Sequence, residues 1–169
     1  MADETVATPT APAATGPTFS LIAQYIRDLS FENPGAPTSI LAAGQNPTFG
    51  VNINVSVKKQ SDDIYAVEIL LTAKASREVT VLFNVELAYG GVFRLKNVPE
   101  PQLAPLLMIE APRLIFPFAR QVLANTVQNG GFPPLMMEPV NFEELYRQNL
   151  SNLAAQQKKE AEAAGDKPN

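Results

Sequence analysis

The stretch Phe49-Gly50-Val51-Asn52-Ile53-Asn54-Val55-Ser56-Val57-Lys58 decides the architecture of this chain. Its odd positions are apolar and its even positions are polar or glycine, a period of two that gives a β-strand one dry and one wet face. Working outward, Ser61-Asp62-Asp63 reads as a turn. After it Tyr65, Val67, Ile69 and Leu71 alternate with Ala66, Glu68, Leu70 and Thr72. A second turn falls near Ser76-Arg77-Glu78, followed by a third alternating run from Val79 to Tyr89. Connections this short join antiparallel neighbours, so the three form a meander. Upstream, Leu21–Glu32 is expected to be a fourth strand, with Tyr25, Leu29 and Phe31 on one face and Gln24, Asp28, Ser30 and Glu32 on the other.

Beyond residue 100 the period changes. Between Arg113 and Gln128 apolar side chains recur at Ile115, Phe118 or Ala119, Val122 and Thr126, and Asn129-Gly130-Gly131 is a stop signal. Pro112 suits a first helical turn, whereas Pro117 marks the true start or a kink. A shorter helical piece is expected near Gln102–Met108. Asn141 followed by Glu144 is a capping-box-like start for a last helix striped by Phe142, Leu145, Tyr146, Leu150 and Leu153. The expected fold is α+β: a four-stranded antiparallel meander sheet with helices covering one face.

Composition bounds the function. The chain has 169 residues, 46% hydrophobic but only 18% charged, below the roughly 25% charge of an average soluble domain, so its surface is unusually neutral or its apolar area partly exposed. Cysteine, histidine and tryptophan are absent, which excludes thiolate and imidazole catalysis, His/Cys metal sites and disulfides. A net charge of −4 with scattered basic residues argues against nucleic acid. Met1-Ala2-Asp3-Glu4 carries acid where targeting presequences carry base, so a cytoplasmic location is expected. Residues 1–17, rich in Ala, Thr and Pro, read as a disordered N-terminal tail. Residues 154–169 read as a flexible C-terminal tail, helical where it leaves the domain, and the folded domain spans 18–153.

No catalytic constellation emerges. Asp62-Asp63 belongs to a turn and Glu143-Glu144 to a helix's first turn, where acid complements the macrodipole. Gly90-Gly91 and Gly130-Gly131 lack the spacing and the lysine of a phosphate loop. Asp28 and Glu32 share one face of their strand, and Glu68 and Glu86 occupy the polar faces of theirs. Together they form either a solvated face or a docking surface for a basic protein. Ile40, Leu41, Leu135, Met136 and Met137 lie in Pro/Gly-rich segments, and soft, Met-containing surfaces suit varied apolar sequences. Irregular segments packing onto their own core explain them equally well.

Five blocks in series carry more than pattern: Ile26-Arg27-Asp28-Leu29-Ser30-Phe31-Glu32-Asn33-Pro34-Gly35-Ala36-Pro37, Gly90-Gly91-Val92-Phe93, Ala111-Pro112-Arg113-Leu114-Ile115-Phe116-Pro117-Phe118-Ala119-Arg120, Gly130-Gly131-Phe132-Pro133-Pro134-Leu135 and Pro139-Val140-Asn141-Phe142. In this order and spacing, from about Phe19 to Leu153, the chain resembles the SecB family of protein-export chaperones. The resemblance implies a homotetramer, a dimer of dimers, that holds unfolded precursor proteins in the cytoplasm and delivers them to the SecA motor ATPase. It implies no catalysis, metal or other cofactor, and only indirect membrane association through SecA. The family's SecA-binding positions fall on Asp28, Glu32 and Glu86, with Asn84 at a neighbouring docking position that can be apolar in relatives. The family's C-terminal tail also contacts SecA. The client-binding groove maps to Pro37–Phe49, offering Ile40, Leu41 and Phe49, and to the region of Leu135, Met136, Met137 and Phe142. The rival readings are a cytosolic carrier enclosing a small apolar ligand and a carboxylate enzyme.

Overall fold

Alternation over so many consecutive residues leaves an apolar face that only a second layer can bury, and the computed structural model supplies it with helices. The structure describes residues 16–41 and 47–165, with side chains up to residue 155. Four strands, β1 (Thr18–Glu32), β2 (Thr48–Ser61), β3 (Ile64–Arg77) and β4 (Thr80–Lys96), form one antiparallel sheet in the order β1-β4-β3-β2. The turns at Asp62-Asp63 and Glu78-Val79 are two-residue hairpins, and Glu78 takes the left-handed conformation its tight turn needs (φ 52°). A one-turn helix, α1 (Thr38–Leu41), follows β1. After the sheet come α2 (Glu100–Pro105), a π-helical segment (Leu106–Glu110), α3 (Ala111–Asn129) and α4 (Phe142–Gly165).

α3 lies across β4, β3 and β1 and buries one face of the sheet. The core contains Val67, Ile69 and Leu71 of β3, Phe83, Val85, Leu87 and Phe93 of β4, and Ile115, Leu123 and Val127 of α3. Each such side chain contributes about 1.5–3 kcal/mol by leaving water. Among the described residues no helix lies over the opposite face of the sheet.

Three sequence expectations need correction. First, β1 carries register shifts between Leu21 and Ala23 and between Ile26 and Asp28. Each bulge shifts the alternation by one. Tyr25 therefore stands on the helix-free face opposite Gly90, away from Leu29 and Phe31, and Gln24 reaches the helix side, where Tyr89 Oη donates to its Oε1 at 3.1 Å. Second, the buried stripe of α3 runs through Ile115, Ala119, Leu123 and Val127 rather than Phe118, Val122 and Thr126. Third, α2, the π-helical segment and α3 are consecutive: the Ala111 N–H closes a widened turn onto the Leu106 carbonyl just before Pro112, which has no N–H to give. Pro117 is accommodated inside α3 rather than starting it.

Residues 154–165, the first part of the expected C-terminal tail, continue α4, in keeping with a tail that is helical where it leaves the domain. The N-terminal tail lies almost wholly outside the described residues. The start of α4 follows its sequence signal, with Asn141 Oδ1 accepting the Glu144 N–H at 3.1 Å.

Candidate functional site

At the end of α3 the chain must reverse onto the sheet, and two glycines make the turn. The Gly130 N–H returns to the Thr126 carbonyl at 3.0 Å, and the Gly131 N–H returns to that of Gln128 at 3.0 Å. Gly131 has φ +88°, a conformation that side-chain-bearing residues rarely adopt, and a methyl group there would also press on the Ile40 side chain at 2.8 Å. The turn delivers Phe132 onto Phe83, with ring centroids 5.0 Å apart. Phe49 from β2 and Phe31 from β1 approach the same ring at 6.4 and 5.7 Å. Phe83 is thus the hub of an aromatic cluster drawn from four distant parts of the chain. Tilted and offset rings of this kind add about 0.5–1.5 kcal/mol per pair beyond burial.

Beside the hub runs an open cleft of about 730 Å³, lined chiefly by Ile40, Phe49, Phe83, Phe132, Leu135 and Met136. Arg77 at its rim is the charged residue among the lining. Arg120 of α3 donates from Nη1 to the Met137 carbonyl at 3.2 Å, tying the segment after Pro134 down. Four of the seven expected groove residues, Ile40, Phe49, Leu135 and Met136, line one cleft. Met137 is partly buried against the core beside it, and Leu41, 81% exposed, stands at the end of α1 next to residues outside the described set.

Phe142 does not belong there and its assignment is corrected: it is 1% exposed and packs edge-on against Phe116, with centroids 5.7 Å apart. The first apolar residue after a capping asparagine is drawn inward to anchor its helix. Phe83, Phe132 and Arg120 were not assigned to the site from the sequence. For Phe132 the signal was the glycine before it, Gly131, which sets where that ring turns.

The helix-free face carries the carboxylates. Across the β1–β4 ladder Glu32 faces Asn84, Ser30 faces Glu86 and Asp28 faces Ala88. Directly opposed residues share a side, so Asp28, Glu32, Asn84 and Glu86 are brought together. Asn84 Nδ2 lies 3.5 Å from Glu86 Oε1. Asp28, Glu32 and Glu86 are exposed.

Glu68, on the same face, is different: it is only 8% exposed. Arg27 Nε donates to its Oε2 at 2.9 Å and Tyr25 Oη to its Oε1 at 3.1 Å. Gly90 permits this arrangement, because a methyl group there would collide with the Tyr25 ring. Burial, then the hydrogen bond to Glu68, raises the Tyr25 hydroxyl above its ordinary value. Among the described residues no group of three or more His, Cys, Asp or Glu is placed to hold a metal ion.

These two surfaces sit back to back on β4. Phe83 faces the cleft, and Asn84, one residue on, faces the carboxylates.

The family profile described as "Preprotein translocase subunit SecB" matches residues 12–153. A protein-export protein SecB of Bradyrhizobium sp. is 52% identical over 145 residues, covering 86% of this chain and 90% of its own. Another, from Afipia carboxidovorans, is 49% identical over 157 residues, covering 93% of this chain and 96% of its own. Among solved structures, a Mycobacterium tuberculosis SecB-like chaperone in complex with a ChAD peptide from an antitoxin matches with a TM-score of 0.60 at 13% identity. That match covers 72% of this chain and 90% of that one. It shows the shared fold. With the family profile spanning most of the sheet and helices, and relatives near half identical over nearly their whole length, this chain belongs to the SecB family of protein-export chaperones.

Proposed function

We propose that the chain captures unfolded precursor proteins in the Phe83 cleft and hands them to SecA through the carboxylate face, in the cytoplasm and as a homotetramer. The observation that carries this reading is the division of labour on β4, whose successive side chains serve an apolar cleft on one side of the sheet and an acidic surface on the other. An extended client fits the cleft, since its wall residue Met136 is 69% exposed and its lining is mostly apolar.

The acidic face attracts a basic partner over a Debye length of roughly 8 Å at physiological salt. Asp28, Glu32 and Glu86 bind by summed charge, and Asn84 supplies a neutral contact among them. The chemistry is binding alone. Assembly follows from leftover apolar surface: Leu114 and Phe118 on the outer side of α3, and Ile22, Ile26 and Leu29 on the edge strand β1, are exposed.

The test is a double variant, Glu32→Lys with Glu86→Lys, measured twice: SecA affinity by titration and suppression of precursor aggregation. SecA binding is expected to be lost and precursor holding kept. SecA binding at parental strength, or holding that falls in step with it, would refute the two-surface reading.

A further inference from the structure

Arginine at position 27 is out of place on a surface that works by negative charge. The bulge between Ile26 and Asp28 brings Arg27 to the helix-free side, next in sequence to Asp28. Arg27, Asp28 and Glu86 line one shallow cleft of about 250 Å³, floored by Leu70 and Ala88. An unrestrained guanidinium there has two exposed carboxylates within reach of its long side chain, and pairing with either would cancel charge that the docking face needs. The structure shows it held elsewhere. Glu68 accepts from its Nε at 2.9 Å and is itself fixed on the other oxygen by Tyr25, whose ring lies over Gly90.

The pair is asymmetric. Glu68 is almost wholly buried, whereas the Arg27 side chain is half exposed, so the carboxylate is the fixed member and the cation the guest. From this geometry we infer that Glu68 is a positioning residue for partner docking: it sequesters Arg27 so that Asp28 and Glu86 stay open to a basic partner surface. The inference rests on the docking function proposed for that face and adds to it a residue that never touches the partner.

The size-matched change Glu68→Gln removes the anion and keeps an oxygen acceptor for Tyr25 or Arg27. Arg27 is then free to turn to Asp28 or Glu86, and SecA affinity is expected to fall about tenfold, with a shallower dependence on salt because fewer carboxylates act. The decisive variant is the double change Arg27→Gln with Glu68→Gln, which removes the misplaced cation as well. It is expected to recover affinity to within about threefold of the parent and to restore the salt dependence. Precursor holding serves as the check that all variants are folded.

Glu86→Lys is measured alongside. If it weakens SecA binding while Glu68→Gln does not, the sequestering role is overturned and the docking face stands. If Glu68→Gln weakens binding but the added Arg27→Gln restores nothing, Glu68 merely supports the local fold and the inference is again overturned. If Glu86→Lys has no effect, the docking face itself is wrong and this role falls with it.

Discussion

Replacing Met136 by aspartate tests the cleft with a quantity that can be worked from the structure. Met136 is 69% exposed in the free chain, so that share of the side chain remains available for burial under a client. Burying a whole methionine is worth about 1.5–3 kcal/mol, and the exposed fraction of that is about 1–2 kcal/mol. At about 1.4 kcal/mol per factor of ten, the lost contact weakens client binding about 5- to 30-fold. A carboxylate that must be desolvated in the bound state adds to this loss. The fold should not suffer, since a surface substitution at so exposed a position typically changes stability by less than about 0.5 kcal/mol.

The assay is fluorescence anisotropy of a labelled, unfolded precursor fragment titrated with parent and variant. Val79→Asp is the control, because Val79 is 97% exposed at the tip of the β3–β4 hairpin and does not line the cleft. It makes the same chemical change away from the proposed site. A Met136→Asp affinity within twofold of the parent, or an equal loss in Val79→Asp, would refute the assignment of the cleft.

Other expectations follow from the same geometry. Phe142→Ala should cost about 3–5 kcal/mol in urea denaturation, as a fully buried aromatic does, with the client affinity of the folded protein unchanged. Leu114→Asp combined with Phe118→Asp should shift light scattering from tetramer to smaller species; a tetramer of parental mass would show that the outer side of α3 takes no part in assembly. The raised Tyr25 value means the folded state holds that phenolic proton more tightly than the unfolded chain, whose value is about 10.0. The stability this contributes is whole below pH 10 and is lost as pH rises through the folded-state value. The difference in urea midpoint between parent and Tyr25→Phe should therefore be level from pH 6 to 9 and shrink above 10.

The sheet was legible because strand alternation is local. Val51 to Val57 declare their faces without reference to anything else, and the two-residue turns declare the pairing. Asp28 and Glu32 could be placed together because no bulge lies between them. Tyr25 could not, since the shift at Ile26/Asp28 is a property of pairing with β4 and leaves no mark in β1's own pattern. The α3 stripe was misread by one position because Val122 stands beside Leu123 and Thr126 beside Val127, so the sequence offers two adjacent stripes and only packing on the sheet selects Leu123 and Val127. Half of the cleft was visible as apolar residues in irregular segments, where Ile40, Leu135 and Met136 had no regular reason to be. The contribution of Phe83 and Phe132 was not, because these two rings meet only through tertiary folding. Phe142 looked equivalent to its neighbours in sequence, and only packing on Phe116 separates it from them.

Phe83 and Asn84 are consecutive, yet they look out on opposite sides of the sheet, and that has a bearing on traffic. In the proposed scheme cargo and motor need not compete for one berth, so the loaded carrier can dock without first unloading. Arrival order is then immaterial: a carrier that meets the motor empty and one that meets it full reach the same ternary state. What remains to govern throughput is dwell time, the interval for which a precursor stays in the cleft set against the interval for which the carrier stays docked. A strand whose consecutive side chains serve opposite sides suits such a scheme, because each lifetime can be tuned by substitutions on its own side.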